Sequence, residues 1–238
     1  MGNLIVDIGN TAVKAAFTEG VTLGKTFRYQ GERVKDFILS LTGRGKPEVM
    51  VISSVYEIQP RDEAEYAAVC GRLVIMDSAH ASLLRDSGLP EWLSSDRAAS
   101  IIAVRHLFSG KSCTIIDFGT TLTVDFIDGE GRYEGGNISL GCRTRFKAIN
   151  RYSRSLPLID TPADSPALGN SLDTSISSGI ISGIMFEIDG YIASKPDSVV
   201  IFTGGDANFF AKHTSNSVFI VNNLVLMGLA AIAEDYDR

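Results

Sequence analysis

An α/β fold in two halves of duplicated topology is the class this sequence predicts, on three observations. First, the segment Leu4-Ile5-Val6-Asp7-Ile8-Gly9-Asn10-Thr11 is echoed by Thr114-Ile115-Ile116-Asp117-Phe118-Gly119-Thr120-Thr121. Each copy is a β-branched apolar run, then Asp-x-Gly-polar-Thr, then a second strand-like run. Second, apolar runs of strand type alternate with helix-type patterns after each copy, which means layered α/β structure. Third, 238 residues at 45% hydrophobic and 21% charged are enough for a sizeable core in one or two domains, and exclude a disordered tail or a coiled coil.

The first copy is a strand, and Ala12 to Thr18 is its partner across the turn, ending in acidic and Gly residues suited to a further turn. Val34, Phe37, Ile38 and Leu41 recur at i, i+3, i+4 and i+7, an amphipathic helix closed by Gly43. Val49 to Ser53 reads as a buried strand, Asp62 to Cys70 as a helix and Leu73 to Met76 as another strand. Ser95 to Phe108 is a helix with Ser94 or Ser95 as its N-cap. In the second half, Leu122 to Ile127 follows the repeated turn, and the cluster Gly135-Gly136-Asn137-Ile138-Ser139-Leu140-Gly141 reads as the start of a helix. Ser171 to Ser194 is a long helix with Gly179 and Gly183 on one side, read as a close helix-packing surface. Ser198 to Thr203 is a strand, and Leu224 to Glu234 a terminal helix. The boundary falls near Phe108 to Lys111, giving an N-terminal half at 1–109 and a C-terminal half at 110–238.

Charge and composition narrow the partners. Twenty-two Lys and Arg against 28 Asp and Glu give a net charge of -6, which argues against nucleic acid as a partner. Cys70, Cys113 and Cys142, with His80, His106 and His213, have neither zinc-like spacing nor an even disulfide framework. The first residues hold no basic segment followed by a long apolar one. The apolar stretch around Ile180 to Phe186 is cut by Glu187 and Asp189, far below the ~20 residues a bilayer requires. A reduced, cytoplasmic chain without a membrane partner is the expectation.

The Asp-x-Gly turns suit phosphate. Glycine at the tip of a turn lets a ligand approach the backbone, and the Asn10 amide and the hydroxyls of Thr11, Thr120 and Thr121 offer donors. Asp7 and Asp117 repel phosphate unless a hard cation lies between, since such cations take carboxylate and phosphate oxygens together. Lys14 can reach the same oxygens as a point charge. The further turn Thr203-Gly204-Gly205-Asp206 reads either as an ordinary strand-to-helix connection or, in a two-domain nucleotide cleft, as the surface against which an adenosine would lie.

Taken in order, Asp7-Ile8-Gly9-Asn10-Thr11 with Lys14, Asp117-Phe118-Gly119-Thr120, Gly135-Gly136-x-Ile138-x-x-Gly141 and Thr203-Gly204-Gly205 make a pattern that resembles the type III pantothenate kinases. Some members of that family carry the label Bvg accessory factor. The resemblance implies two ribonuclease H-like domains of the actin-like ATPase and sugar kinase superfamily, with a cleft between them. It implies ATP-dependent phosphorylation of pantothenate, the first step of coenzyme A biosynthesis, with Mg²⁺, a monovalent cation (K⁺ or NH₄⁺) and a homodimer. Asp7, Gly9, Asn10, Thr11 and Lys14 would hold the ATP phosphates, Asp7 also serving Mg²⁺. Gly119, Thr120, Gly204 and Gly205 would contact ATP, and Asp117 would hold the monovalent cation. The family's Gly-x-Asp-Arg segment falls on Ser94-Ser95-Asp96-Arg97, which would line the substrate, with Asp96 as proton acceptor and Arg97 as a substrate ligand. Thr174 matches a substrate-contacting Thr. Two positions depart from the pattern: Ser94 stands for the usual Gly, and Ser87 where a Tyr often precedes the proline, here Pro90. Alternatives are a kinase of the same fold acting on another small alcohol such as a sugar, and a catalytically degenerate, nucleotide-binding regulator. The basic residues Arg143, Arg145, Lys147, Arg151 and Arg154 are the best support for a regulator.

Overall fold

Two five-stranded mixed sheets organise the chain in the computed structural model, which describes residues 2–237. The first unit opens with the antiparallel strands β1 (Asn3–Ile8), β2 (Val13–Glu19) and β3 (Thr22–Tyr29). It continues through α1 (Val34–Leu41), β4 (Val49–Ser54), α2 (Pro60–Ala68), β5 (Arg72–Met76), α3 (Ser82–Asp86) and α4 (Ser95–Leu107). The sheet order is β3-β2-β1-β4-β5, with β1 antiparallel to β2 and parallel to β4. All residues of β1 and β4 are buried, which is why both read as mainly apolar runs, with Asn3, Asp7, Ser53 and Ser54 as their polar members. Leu4, Val6, Ile8, Met50 and Ile52 meet Ile38 of α1 and Tyr66 of α2 in one core. Burying each such side chain fully is worth ~1.5–3 kcal/mol. α2 begins with Pro60, whose missing N–H has no partner to lose there. The hairpin strand β3 is partly exposed, and its weak alternation hides it in the sequence.

The second unit repeats the plan. Strands β6 (Cys113–Phe118), β7 (Thr121–Ile127) and β8 (Tyr133–Leu140) lead to α5 (Cys142–Tyr152), α6 (Leu172–Ser194), β9 (Val199–Gly204), α7 (Ala207–Ala211) and β10 (Phe219–Ile220). The order β10-β9-β6-β7-β8, read in reverse, matches the first sheet strand for strand. The repeated sequence motif therefore marks a repeated topology. The cluster Gly135 to Gly141, expected to start a helix, is instead mostly the edge strand β8, paired antiparallel with β7. Its pairing shifts register between Phe126 and Ile127, beside Gly135 at φ 133°, and glycine is tolerated at such an edge irregularity. The helix starts only after Gly141.

α6 is the spine of this unit. Ile176, Ile180, Ile184, Ile188 and Ile192 bury one face against Phe118, Phe146, Phe202 and Phe210. By length and composition this helix could cross a membrane, yet that isoleucine face is the core of the unit. The reading of Gly179 and Gly183 as a packing surface fails. A Cβ at Gly179 would meet nothing within 4 Å, and one at Gly183 only Arg145 Nη1 at 3.9 Å.

α8 (Leu224–Asp237) corrects the expected division. It belongs with the chain up to Ser109, while the second unit is Gly110–Asn222. The cause is its apolar face: Leu224, Leu226, Leu229, Ala230 and Ala233 are buried, and the helix packs on β1, β4 and α4. Contact with α4 is very close at Gly228, where a Cβ would lie 1.9 Å from the Ala99 carbonyl oxygen.

Candidate active site

In the first unit the site begins at the C-terminal end of β1. Asp7 is opposite Lys14 on β2 and Ser53 on β4. Residues opposite each other in adjacent strands share a face of the sheet, so the three side chains stand side by side. Asp7 is 9% exposed. Past Ile8 the chain turns back, closed by the Gly9 N–H donating to the Ala12 carbonyl at 3.1 Å, which leaves Asn10 and Thr11 exposed at the tip. Tyr56 donates its hydroxyl to Asn10 Oδ1 at 3.4 Å, and Gln30 Nε2 donates to the Thr11 carbonyl at 3.5 Å. Beside the turn lies a cavity of about 400 Å³ whose lining includes Gly9, Asn10, Thr11, Gln30, Tyr56 and Gln59.

The 55–59 segment lining that cavity is held from behind. Buried Asp77 accepts the N–H of Ile58 at 2.8 Å on one oxygen, and on the other the N–H of Ala79 and Nδ1 of His80 at 2.9 and 2.7 Å. Burial alone pushes the Asp77 carboxyl up, but the bonds from Ile58, His80 and Ala79 outweigh it and hold it below its ordinary range.

α4 brings the other sequence-chosen residues to the same strand ends. Ser94 caps the helix through backbone geometry, its side chain making no cap bond, and it is exposed. Ser95 points inward: its hydroxyl donates to the Ser54 carbonyl at 3.0 Å and lies 3.0 Å from Ser53 Oγ. Ser53 Oγ is in turn 3.5 Å from Asp7 Oδ1. Asp96 is half-buried and accepts the Arg97 N–H at 2.8 Å, and Arg97 is 6% exposed. The structure thus groups Asp7, Lys14 and Ser95 with the first turn of α4. Ser53, Tyr56 and Gln30 were missed in the sequence, where only Ser53 carried a signal, as a hydroxyl ending an apolar strand. Ser87 ends α3, and its carbonyl accepts from Arg105 Nη1 at 2.7 Å.

The second unit builds the corresponding turn more tightly. Asp117 lies opposite Thr123 and Thr203, the positions that answer to Lys14 and Ser53. Gly119 donates its N–H to the Thr121 carbonyl at 3.1 Å, and the Thr120 carbonyl accepts from Gly141 N at 3.1 Å and Thr144 Oγ1 at 2.6 Å. A Cβ at Gly141 would sit 2.0 Å from the Gly119 oxygen, so only glycine fits there. Gly204 has φ 94°, and a Cβ on it would fall 2.3 Å from Asp117 Oδ1. Gly205 is exposed with open space beside it. Asp206, whose carboxyl is pushed up by burial, donates its N–H to the Phe118 carbonyl at 3.2 Å.

Thr174 stands at the head of α6, in a capping box. Its hydroxyl oxygen accepts the Ser171 and Asn170 N–H groups at 2.9 and 3.0 Å, and Ser171 Oγ accepts the Thr174 N–H at 3.3 Å. Of the five basic residues, Lys147, Arg151 and Arg154 are exposed, while the other two are ion-paired. Arg143 pairs with Asp160 at 2.7 Å, and Arg145 pairs with Glu187 and donates to the Leu140 carbonyl at 2.7 Å.

The family described as Type III pantothenate kinase matches residues 3–194. A type III pantothenate kinase of Phocaeicola vulgatus is 34% identical with 99% of each chain covered, and one of Porphyromonas gingivalis is 34% identical with 98% covered. Among solved structures, a Baf family transcriptional activator from Campylobacter jejuni has a TM-score of 0.66 at 20% identity, covering 98% of both chains. A ROK hexokinase from Thermus thermophilus has a TM-score of 0.56 at 14% identity, covering 100% of both. These two likenesses establish the fold, that of the actin-like ATPases and sugar kinases. Matched along most of its length by one family and along nearly all of it by that family's members, this chain belongs to the type III pantothenate kinases.

Proposed function

We propose that the two Asp-x-Gly turns and the first turn of α4 carry the chain's activity, which is ATP-dependent phosphorylation of pantothenate in coenzyme A biosynthesis. The observation that supports this assignment most is the repetition: Asp7 and Asp117 hold the same register position in two sheets of the same strand order. Gly9, Asn10, Thr11 and Lys14 bind the phosphates at the first turn, and Gly119, Thr120, Gly204 and Gly205 contact nucleotide at the second.

Cations fit this donor set. Among the described residues no three His, Cys, Asp or Glu side chains cluster, so a divalent ion has no all-protein cage. Magnesium is commonly held by one or two carboxylates together with substrate phosphates, which suits Asp7. When bound it supplies charge neutralisation at the phosphates. The Asp117 carboxylate lies in a cradle that a side chain on Gly204 would fill, suited to K⁺ or NH₄⁺.

Phosphoryl transfer has a loose transition state, so positioning and charge dominate. No carboxylate deprotonates an aliphatic alcohol in advance. Asp96 orients the primary hydroxyl of pantothenate and takes its proton late. Arg97 makes a two-pronged contact with the pantothenate carboxylate that Lys could not copy, and Ser94, Ser95 and Thr174 line the substrate. The enzyme is a cytoplasmic homodimer in this reading, a state that light scattering measures directly.

The test is ADP release with pantothenate, with a panel of sugars and without acceptor, in K⁺, NH₄⁺ and Na⁺. Turnover should require pantothenate and K⁺ or NH₄⁺. Asp96→Asn should keep nucleotide affinity and lose ~10²-fold or more of turnover. Asp117→Asn should lose the preference for K⁺. Near-wild-type turnover in Asp96→Asn removes that residue from the mechanism, and unchanged K⁺ activation in Asp117→Asn moves the cation elsewhere.

A further inference from the structure

We propose that Ser53 and Ser95 form a hydroxyl strut that positions the transfer machinery, with Ser53 the positioning residue and Ser95 its anchor. The proposal deepens, and rests on, the roles given above to Asp7 and Asp96. It departs from them at Ser95, whose side chain it assigns to the strut in place of substrate.

The observations are local and specific. Ser53 is 0% exposed and Ser95 5%, so both hydroxyls depend on protein partners. Ser95 uses its one proton on the Ser54 carbonyl, so toward Ser53 it can only accept. Ser53 also has one proton and two acceptors for it, Ser95 Oγ at 3.0 Å and Asp7 Oδ1 at 3.5 Å. A single rotating hydroxyl thus stands between the carboxylate at the first turn and the residue that immediately precedes Asp96.

A purely structural pair would behave differently. Replacing both partners of a buried hydrogen bond by apolar groups of similar shape is often close to neutral for stability. If Ser53 and Ser95 were only filling space, removing both hydroxyls together would leave folding and turnover alike unchanged. A positioning role predicts a turnover defect without a matching stability defect, because small displacements of reacting groups are costly.

The experiment compares Ser53→Ala, Ser95→Ala and the double variant, with Ser53→Thr as the hydroxyl-retaining control. Each is made in the wild-type and Asp96→Asn backgrounds. Pantothenate kinetics, ADP affinity by calorimetry and Tm are measured for all. Each single variant should lower kcat ~10-fold, with pantothenate KM and ADP affinity within about twofold of wild type. The double variant should be no worse than the worse single one, and Ser53→Thr should recover most of the rate. In the Asp96→Asn background the serine substitutions should change nothing further. Wild-type kcat in both single alanine variants overturns the proposal, as does multiplication of the two losses in the double variant. A rise in pantothenate KM on Ser95→Ala alone, with kcat intact, returns that hydroxyl to the substrate and also overturns it. Were Asp96→Asn itself fully active, the assignment of the proton acceptor would fall. The strut would still be judged by whether the serine losses multiply. If Ser53→Ala does not fold, Ser95→Ala and Ser53→Thr decide the matter.

Discussion

Two glycines in helices should respond in opposite directions to the same substitution. In Gly228→Ala the new Cβ would lie 1.9 Å from the Ala99 oxygen, and 3.0 Å from the Ala99 Cα. Carbon rarely approaches a carbonyl oxygen closer than ~3.3 Å, so α8 and α4 must part by roughly 1.4 Å at that point. Overpacking typically costs ~1–3 kcal/mol, and the upper end applies where the obstacle is backbone that cannot rotate away. Alanine returns at most ~1 kcal/mol through its better helix propensity. A net loss of about 2 kcal/mol follows, or a Tm lowered by ~4–8 °C for a chain of this size. Gly179→Ala meets nothing within 4 Å, so only the propensity gain remains and Tm should rise by ~1–4 °C. Scanning calorimetry on both variants and wild type is the assay, with kcat measured alongside because α4 carries Asp96. A Gly228→Ala protein that melts at or above the wild-type temperature would refute the close approach of the two helices.

Three more outcomes are expected. Asp77 is held below the ordinary carboxylate range in the fold, so its contribution to stability is present above the unfolded value of ~3.9 and disappears as pH falls through the lower, folded value. Asp77→Asn should therefore cost ~1–3 kcal/mol in urea denaturation at pH 7, with the gap to wild type closing as the pH approaches 3. Burial pushes the thiols of Cys113 and Cys142 up to about 11, and raises Cys70 as well; a thiol reagent at pH 8 should label the native protein slowly and the urea-unfolded protein fast. Gly204→Ala places a Cβ against Asp117 at a backbone conformation L-residues avoid, and should weaken nucleotide affinity ~10-fold or more by calorimetry.

Much of this architecture can be read without coordinates because the central strands are buried on both faces. Leu4 to Val6 and Val49 to Ile52 have to be apolar throughout, and such runs stand out. The long helices announce themselves through spacing, as with Ile176, Ile180 and Ile184. Exposed edges carry no such demand: β3 and β8 lack a consistent pattern, and Gly135-Gly136 imitates a loop before a helix. Tertiary choices are equally invisible. Nothing local in Leu224 to Asp237 says that its apolar face completes the first sheet, and Gly179 and Gly228 look alike although one faces open space and the other a carbonyl. At the site, Asp7, Asp96 and Asp117 are conspicuous because carboxylates beside glycine or hydroxyl residues suggest ligands. Ser53 escapes notice, since its importance lies in which neighbours the β1–β4 register gives it.

The return of α8 to the first unit has a consequence for how the protein is made. On the ribosome, the segment up to Ser109 emerges early but lacks the helix that covers β1 and β4, and that helix is encoded after residues 110–222. The intervening segment, residues 110–222, is continuous and can complete its own sheet first. Maturation therefore runs against the direction of translation: the half that is translated first is the half that finishes last, and until then the face of β1 and β4 that this helix covers is a surface for chaperones to guard.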